Sequence, residues 1–200
     1  MWPWGHLLFG YLVYTVGIRV WNRRGPRDVS TFALAFGTQF PDLIDKPANW
    51  YFDIYDGRAI GHSLFVMVPL CLVVYLLARK YERQGLGVAF AVGTLSHLAS
   101  DALFPVVRGS GLNAPYLFWP LVPAPVYPSD SFTDHFVRLQ SKFGSLDAAS
   151  IPGLIDGGFG LYLAFVFGTI GIWMLDGFPG VGFVWRALVR RRDRFIARTQ

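Results

Sequence analysis

The chain has 200 residues, of which 53% are hydrophobic and 16% are charged. Soluble domains usually carry about 25% charged residues, so this composition argues against a soluble globular protein. The net charge of +5 does not indicate a nucleic-acid partner, because the basic residues cluster at the ends of apolar segments. We therefore predict a single integral membrane domain over residues 1–200, in contact with the lipid bilayer.

Five apolar segments predict an all-α membrane bundle. They run at about 2–21, 29–43, 60–78, 86–104 and 154–175. A spanning helix needs about 20 apolar residues, so the short second segment is predicted to be tilted, re-entrant or packed among the others. Small residues let helix backbones approach closely, and we expect such contacts at the glycines 17, 37, 93, 168 and 171.

The basic residues predict the orientation of this bundle. Thirteen of the 18 Lys and Arg residues follow the first, third or fifth segment. The positive-inside rule assigns these ends to the cytoplasm of a multi-pass inner (plasma) membrane protein and puts the N-terminus outside. The tail at 184–200 is then a basic cytoplasmic helix on the inner leaflet, or only a topology anchor.

A long external loop is predicted at 105–153. Its first half is rich in proline and aromatic residues, and its second half, about 129–143, could hold a short surface helix. Long loops beside a site often shape or cover it. We regard residues 1–120 as the part of the domain that carries the motifs.

Ionisable side chains collect at one depth of the predicted bundle, at the outer ends of four segments. They are His6, Asp42, Asp45, His62, His97 and Asp101. Each such group costs roughly 2.5–3.5 kcal/mol inside a membrane, so a shared partner is expected. His97 and Asp101 are four residues apart and therefore share one helix face.

Imidazole and carboxylate ligands together suit zinc, manganese or non-haem iron. We predict that one or two divalent ions, with zinc as the first choice, are bound by His6, Asp42, His62, His97 and Asp101. Asp45 is predicted to act as a general base. Arg58 is predicted to hold an anion such as phosphate, with lipid headgroups as the alternative contact.

Separate explanations exist for each of these residues. His6 and His62 could be interfacial or capping residues, and Asp42 and Asp45 could end a helix or form a turn. His97 and Asp101 could form a buried hydrogen-bonded pair. The metal explains all of them together. The fourth histidine, His135, is predicted to be solvated and outside the site.

Three functions fit this pattern. The first is a metal-dependent hydrolase with an outward-facing site, acting on a phosphoester or a phospholipid whose headgroup lies at the same depth. The second is an ion or proton path, which we disfavour because no ionisable group was found in the inner halves of the segments. The third is a non-catalytic protein in which a metal or polar network holds the helices together.

The ordered motifs resemble the YdjM-like family of inner-membrane proteins, described as metal-dependent hydrolases and as LexA-binding. The resembling stretches are HLLFG at 6–10, FPDLID at 40–45, RAIGHSL at 58–64, GTLSHLASD at 93–101 and GLNAPYLFWP at 111–120. Two features depart from the family pattern. Two residues separate Asp42 from Asp45 where the family tends to have one, and the family's His-Arg-Gly is Gly57-Arg58-Ala59 here.

The resemblance has a further implication. The family is distantly similar to the zinc-dependent bacterial phospholipase C group, which is all-helical. That similarity implies zinc ligands at His6, Asp42, His62, His97 and Asp101, and a phospholipase C-like hydrolase.

Overall fold

The protein is described by a computed structural model over residues 2–52, 54, 57–107, 109–123, 131, 133–134, 136–137, 140–141, 160–185 and 188–189. Five helices are α1 (Pro3–Asn22), α2 (Asp28–Trp50), α3 (Leu64–Lys80), α4 (Gln84–Val107) and α5 (Gly160–Leu175). Short 3₁₀ helices lie at Ile60–His62 and Pro115–Phe118. No strand occurs in these ranges, which confirms the all-α class.

The five helices match the five predicted segments, but a five-span bundle is not confirmed. In the described part of the chain, only α4 is both long and apolar enough to cross a membrane. α3 has 17 residues and α5 has 16, both short of the roughly 20 that a span needs. α2 is long enough, but it carries several charged residues along its length.

α2 continues past the point where the sequence pattern predicted its end, near Leu43. Pro41 and Pro47 both lie inside the helix. Proline lacks the N–H that would bond to the carbonyl four residues earlier. The carbonyl of Gly37, which loses its partner to Pro41, instead accepts a bond from Thr94 Oγ1 at 3.3 Å. The extension brings Asp45 into the same helix as Asp42.

Glycines bring α1, α2 and α4 together. A Cβ added to Gly93 would lie 2.4 Å from the carbonyl oxygen of Leu34, and one added to Gly37 would lie 2.4 Å from that of Phe90. At Gly10 the added atom would lie 2.4 Å from Thr38 Cγ2. These contacts confirm close packing at positions 37 and 93.

Among the described residues, no close helix contact is found at positions 17, 168 and 171. No described atom lies within 4 Å of a Cβ added at any of these three glycines. The sequence places small residues on helices, but it does not say which of them face a neighbouring helix.

α5 docks against α1 through a buried carboxylate. The side chain of Asp176 is 1% exposed and pairs with Arg19. It also accepts bonds from Tyr11 Oη at 2.5 Å and Thr15 Oγ1 at 2.9 Å. Asp176 lies one residue beyond the predicted fifth segment, so the sequence analysis overlooked it.

Several predictions fall mainly or wholly outside the described residues. They concern most of the second half of the long loop, the solvated position of His135 and nearly all of the basic tail at 184–200. The single-domain boundaries and the orientation of the termini also stay predictions.

Candidate metal centre

Four elements bring the predicted ligands to one place. His6 is in the first two turns of α1, Asp42 is in α2, His62 ends the 3₁₀ helix, and His97 and Asp101 are in α4. The three histidines are 0–1% exposed and Asp101 is 3% exposed. The structure therefore brings together residues that are up to 95 positions apart in the chain.

The Nε2 atoms of His62 and His97 face each other. Nδ1 of His62 donates to Asp45 Oδ2 at 2.8 Å, and Nδ1 of His97 donates to the carbonyl of Thr38 at 2.6 Å. Both acceptors lack a hydrogen, so each neutral imidazole carries its proton on Nδ1. The two Nε2 atoms lie 3.1 Å apart. Two lone pairs at this distance repel each other unless a proton or a cation lies between them.

Carboxylate oxygens surround this pair of nitrogens. Asp42 Oδ1 lies 3.8 Å from both Nε2 atoms. Asp101 Oδ2 lies 3.5 Å from Nε2 of His62 and 3.7 Å from Nε2 of His97. Ligand atoms bound tetrahedrally to zinc at about 2.0–2.1 Å would lie roughly 3.3 Å apart. The donor atoms therefore fit a divalent ion in both type and spacing.

His6 extends the cluster on the other side of Asp101. Its Nε2 lies 3.5 Å from Asp101 Oδ1, and its ring stacks on that of His97 at a centroid distance of 3.8 Å. The second ring nitrogen is 2.8 Å from Ser100 Oγ. Because the two oxygens of Asp101 face different histidines, this carboxylate is placed to bridge two ions.

The possible ligand sets in the described chain overlap. Two triads have donor atoms within 4.8 Å of one another: His62 with His97 and Asp101, and His6 with Asp42 and His97. His97 belongs to both sets. The arrangement therefore has room for one ion or for two that share ligands.

Asp45 is engaged on both oxygens. Oδ1 accepts the backbone N–H of Gly61 at 2.7 Å, and Oδ2 accepts the N–H of Ala59 at 2.8 Å as well as Nδ1–H of His62. These contacts favour positioning of His62 over the general-base role predicted for Asp45.

Two basic residues contact the carboxylates of the cluster. Arg58 Nη2 is 2.7 Å from Asp101 Oδ2, and the Arg58 guanidinium lies over the Tyr116 ring, 5.2 Å from its centre. Lys46 Nζ is 2.5 Å from Asp42 Oδ2, the oxygen that does not face the histidine pair. Arg58 thus touches a candidate ligand directly.

Three residues that shape the site were not predicted from the sequence. The Thr38 carbonyl and the Ser100 hydroxyl hold ring nitrogens of His97 and His6, while Ser63 Oγ donates to the carbonyl of Trp119 at 2.5 Å. A backbone carbonyl leaves no mark on the sequence. Ser100 had a weak signal, since it lies beside Asp101 and three residues after His97.

Tyr116 covers the cluster from the segment after α4. It is 1% exposed, and its ring meets that of His62 edge-on at a centroid distance of 5.8 Å. With the Arg58 guanidinium on the same ring, Tyr116 forms a wall of the site, as expected for the start of the long loop.

Comparison with known proteins identifies a family for this chain. The family model described as YdjM inner membrane protein matches residues 1–176, which include every residue of the cluster. No curated protein and no solved structure matches the chain, so the likeness to phospholipase C is not shown. The chain belongs to the YdjM inner membrane protein family.

Proposed function

We propose that the protein is a membrane-embedded, metal-dependent hydrolase that cleaves phosphoester bonds. The observation that carries the proposal is the pair of Nε2 atoms of His62 and His97, 3.1 Å apart and flanked by two carboxylates. Two buried nitrogen lone pairs that face each other beside two carboxylates repel one another, and this destabilises the fold unless a cation lies among them. Fixed Nδ1 protons on both rings match the way proteins orient histidine ligands.

The residues of the cluster have different roles in the proposed reaction. When bound, a divalent ion lowers the pKa of a water toward about 7 and polarises the phosphoryl oxygen. His6, Asp42, His62, His97 and Asp101 would hold it. Asp45 and Thr38 keep the rings of His62 and His97 turned toward it, and Tyr116 limits the access of bulk water. Arg58 lies beside Asp101 and supplies a fork of donors for an anionic oxygen.

A lipid substrate is the natural extension of this proposal. The chain belongs to an inner-membrane family, and the segments that follow α2 and α4 expose large apolar side chains, among them Tyr51, Phe52 and Phe118. A phospholipid would present its phosphoester near such an interface.

The test replaces His62 and His97 by Gln, singly and together, in protein purified in detergent. The double variant should lose bound zinc and at least about 10³-fold in phosphodiester hydrolysis, because it removes two ligands of the catalytic ion. His135→Gln is the matched histidine control and should change neither. Zinc retained at wild-type occupancy in the double variant would refute the ligand assignment.

Ion or proton movement is a second candidate, and Asp176 favours keeping it. This buried carboxylate, bonded to Tyr11 and Thr15, lies near the ends of α1 and α5 that are predicted to be cytoplasmic. It removes the argument that the inner half lacks an ionisable group. Zinc- or proton-dependent flux in liposomes without hydrolysis would support this candidate. Zinc binding that stabilises the fold, with neither activity, would indicate a structural role.

A further inference from the structure

We propose that Arg58 is an internal cation that competes with the metal ion for Oδ2 of Asp101. The inference rests on the proposed function, since it takes the cluster as a metal centre. It adds that the chain carries its own replacement for the ion, and that this replacement weakens metal binding.

The competition follows from which oxygen Arg58 touches. Nη2 of Arg58 lies 2.7 Å from Asp101 Oδ2. The same oxygen faces Nε2 of His62 and of His97 at 3.5 and 3.7 Å. An ion bound between these three atoms would approach the guanidinium closely. Because an arginine remains protonated at any relevant pH, the guanidinium can lower this repulsion only by moving away.

Lys46 provides a contrast inside the same site. It contacts Oδ2 of Asp42, whereas Oδ1 of Asp42 faces the two histidines. The lysine and a bound ion would thus use opposite oxygens of one carboxylate. Lys46 should act on the ion only through longer-range repulsion, without direct competition for a ligand atom.

The surroundings of Arg58 allow it to move. Its side chain is 30% exposed, whereas that of Asp101 is 1% exposed. The Tyr116 ring, 5.2 Å from the guanidinium, offers a surface that holds a cation without using the carboxylate. The backbone between Arg58 and His62 stays fixed, because Asp45 bonds to the N–H groups of Ala59 and Gly61.

Pairing with Arg58 also protects the protein before the ion is bound. An isolated carboxylate buried as deeply as Asp101 would destabilise the fold strongly. Arg58 neutralises it, so the metal-free chain can fold and then exchange the guanidinium for the ion.

The experiment measures the zinc dissociation constant of Arg58→Gln, Arg58→Lys and Lys46→Gln in detergent, by competition with a chromophoric chelator. Arg58→Gln should bind zinc about tenfold to a hundredfold more tightly than wild type, because the ion no longer has to displace a guanidinium paired with Asp101. Lys46→Gln should gain less than about threefold. Arg58→Lys keeps the charge but loses the fork, and should lie between wild type and Arg58→Gln.

A second readout tests the protective role of Arg58. The melting temperature of zinc-free Arg58→Gln should fall below that of wild type, and saturating zinc should remove the difference. Equal gains in zinc affinity for Arg58→Gln and Lys46→Gln would show that removing any nearby positive charge has the same effect. That result would overturn the proposal. Unchanged or weaker zinc binding in Arg58→Gln would overturn it as well. No zinc binding by the wild type would instead defeat the proposed function and this inference together.

Discussion

At the scale of single residues, the site depends on where each histidine carries its proton. Asp45 and the carbonyl of Thr38 accept the Nδ1–H of His62 and His97, which leaves both Nε2 atoms as lone-pair donors. A change in either acceptor would free the ring to turn or to shift its proton. The geometry of the cluster therefore depends on residues that would not touch the ion.

Asp45→Asn tests this dependence. The amide would turn one N–H₂ toward a donor, either Nδ1 of His62 or the N–H of Gly61, so the zinc dissociation constant should rise about 10–100-fold. The measurement is zinc affinity together with the melting temperature. The matched control is Asp176→Asn, which alters another buried carboxylate with several donors. The control should lower the melting temperature but keep zinc affinity within about threefold of wild type. Equal zinc affinity in Asp45→Asn and wild type would contradict the positioning role.

The sequence was informative about some of these residues and silent about others. Histidines and aspartates inside apolar segments are costly, so His97 and Asp101 stand out from the sequence alone. The role of Thr38 depends on its carbonyl, which every residue possesses, and only the fold brings it to His97. The same limit applies to Asp45, because its bonds to Ala59 and Gly61 depend on the path of the loop.

At the scale of helices, the packing of α2 on α4 sets the positions of the site residues on these two helices. Gly37 and Gly93 each face the backbone of the opposite helix, and a Cβ on either would come within 2.4 Å of a carbonyl oxygen. Since backbone atoms cannot move aside as a side chain end can, any larger residue must separate the helices. Such a separation would also move His97 away from Thr38.

Gly93→Ala should therefore destabilise the protein by about 1–3 kcal/mol and weaken zinc binding. Gly171→Ala is the control, because no described atom lies within 4 Å of its added Cβ. The control should be neutral or slightly stabilising, as alanine is the better helix former. Thermal melting and zinc affinity of the two variants give the comparison. A Gly93→Ala protein as stable as the Gly171→Ala protein would show that α2 and α4 are not in close contact.

Helix positions were more predictable than helix ends. The length of the apolar runs located the helices α1 to α5, since a long apolar run leaves few alternatives. The predicted end of α2 was wrong because the apolar run stops near Leu43, whereas the helix continues through Pro47 to Trp50. Within the helix, Pro41 leaves the Gly37 carbonyl without its usual partner, and the hydroxyl of Thr94 that bonds to it comes from another helix. Tertiary contacts of this kind cannot be read from the local sequence.

At the scale of the whole molecule, the polar groups lie at two separated ends of the bundle. The metal-ligand candidates are at the start of α1, and the Asp176 cluster is near the end of α1 with Arg19. The positive-inside rule predicts that the first end faces outward and the second faces the cytoplasm. One candidate span, α4, is found among the described residues, and it does not test this orientation by itself.

Cysteine labelling in a Cys71→Ala background tests the orientation. Leu112, 71% exposed, follows α4 on the predicted outer side, and Tyr81, 69% exposed, follows α3 on the predicted inner side. A membrane-impermeant maleimide should label Leu112→Cys in right-side-out vesicles and Tyr81→Cys only in inverted ones. The opposite pattern would place the site in the cytoplasm and remove the support for an outward-facing enzyme.

The most direct measurement is anomalous diffraction at the zinc edge from crystals of the protein grown with zinc. We predict a zinc ion, seen as an anomalous peak, about 2.0–2.1 Å from Nε2 of both His62 and His97, with Asp101 or Asp42 as a further ligand. A second peak near His6 would indicate two ions. Absence of any peak at the His62–His97 pair, with the two rings turned away from each other, would contradict the proposal that these histidines bind a metal ion together.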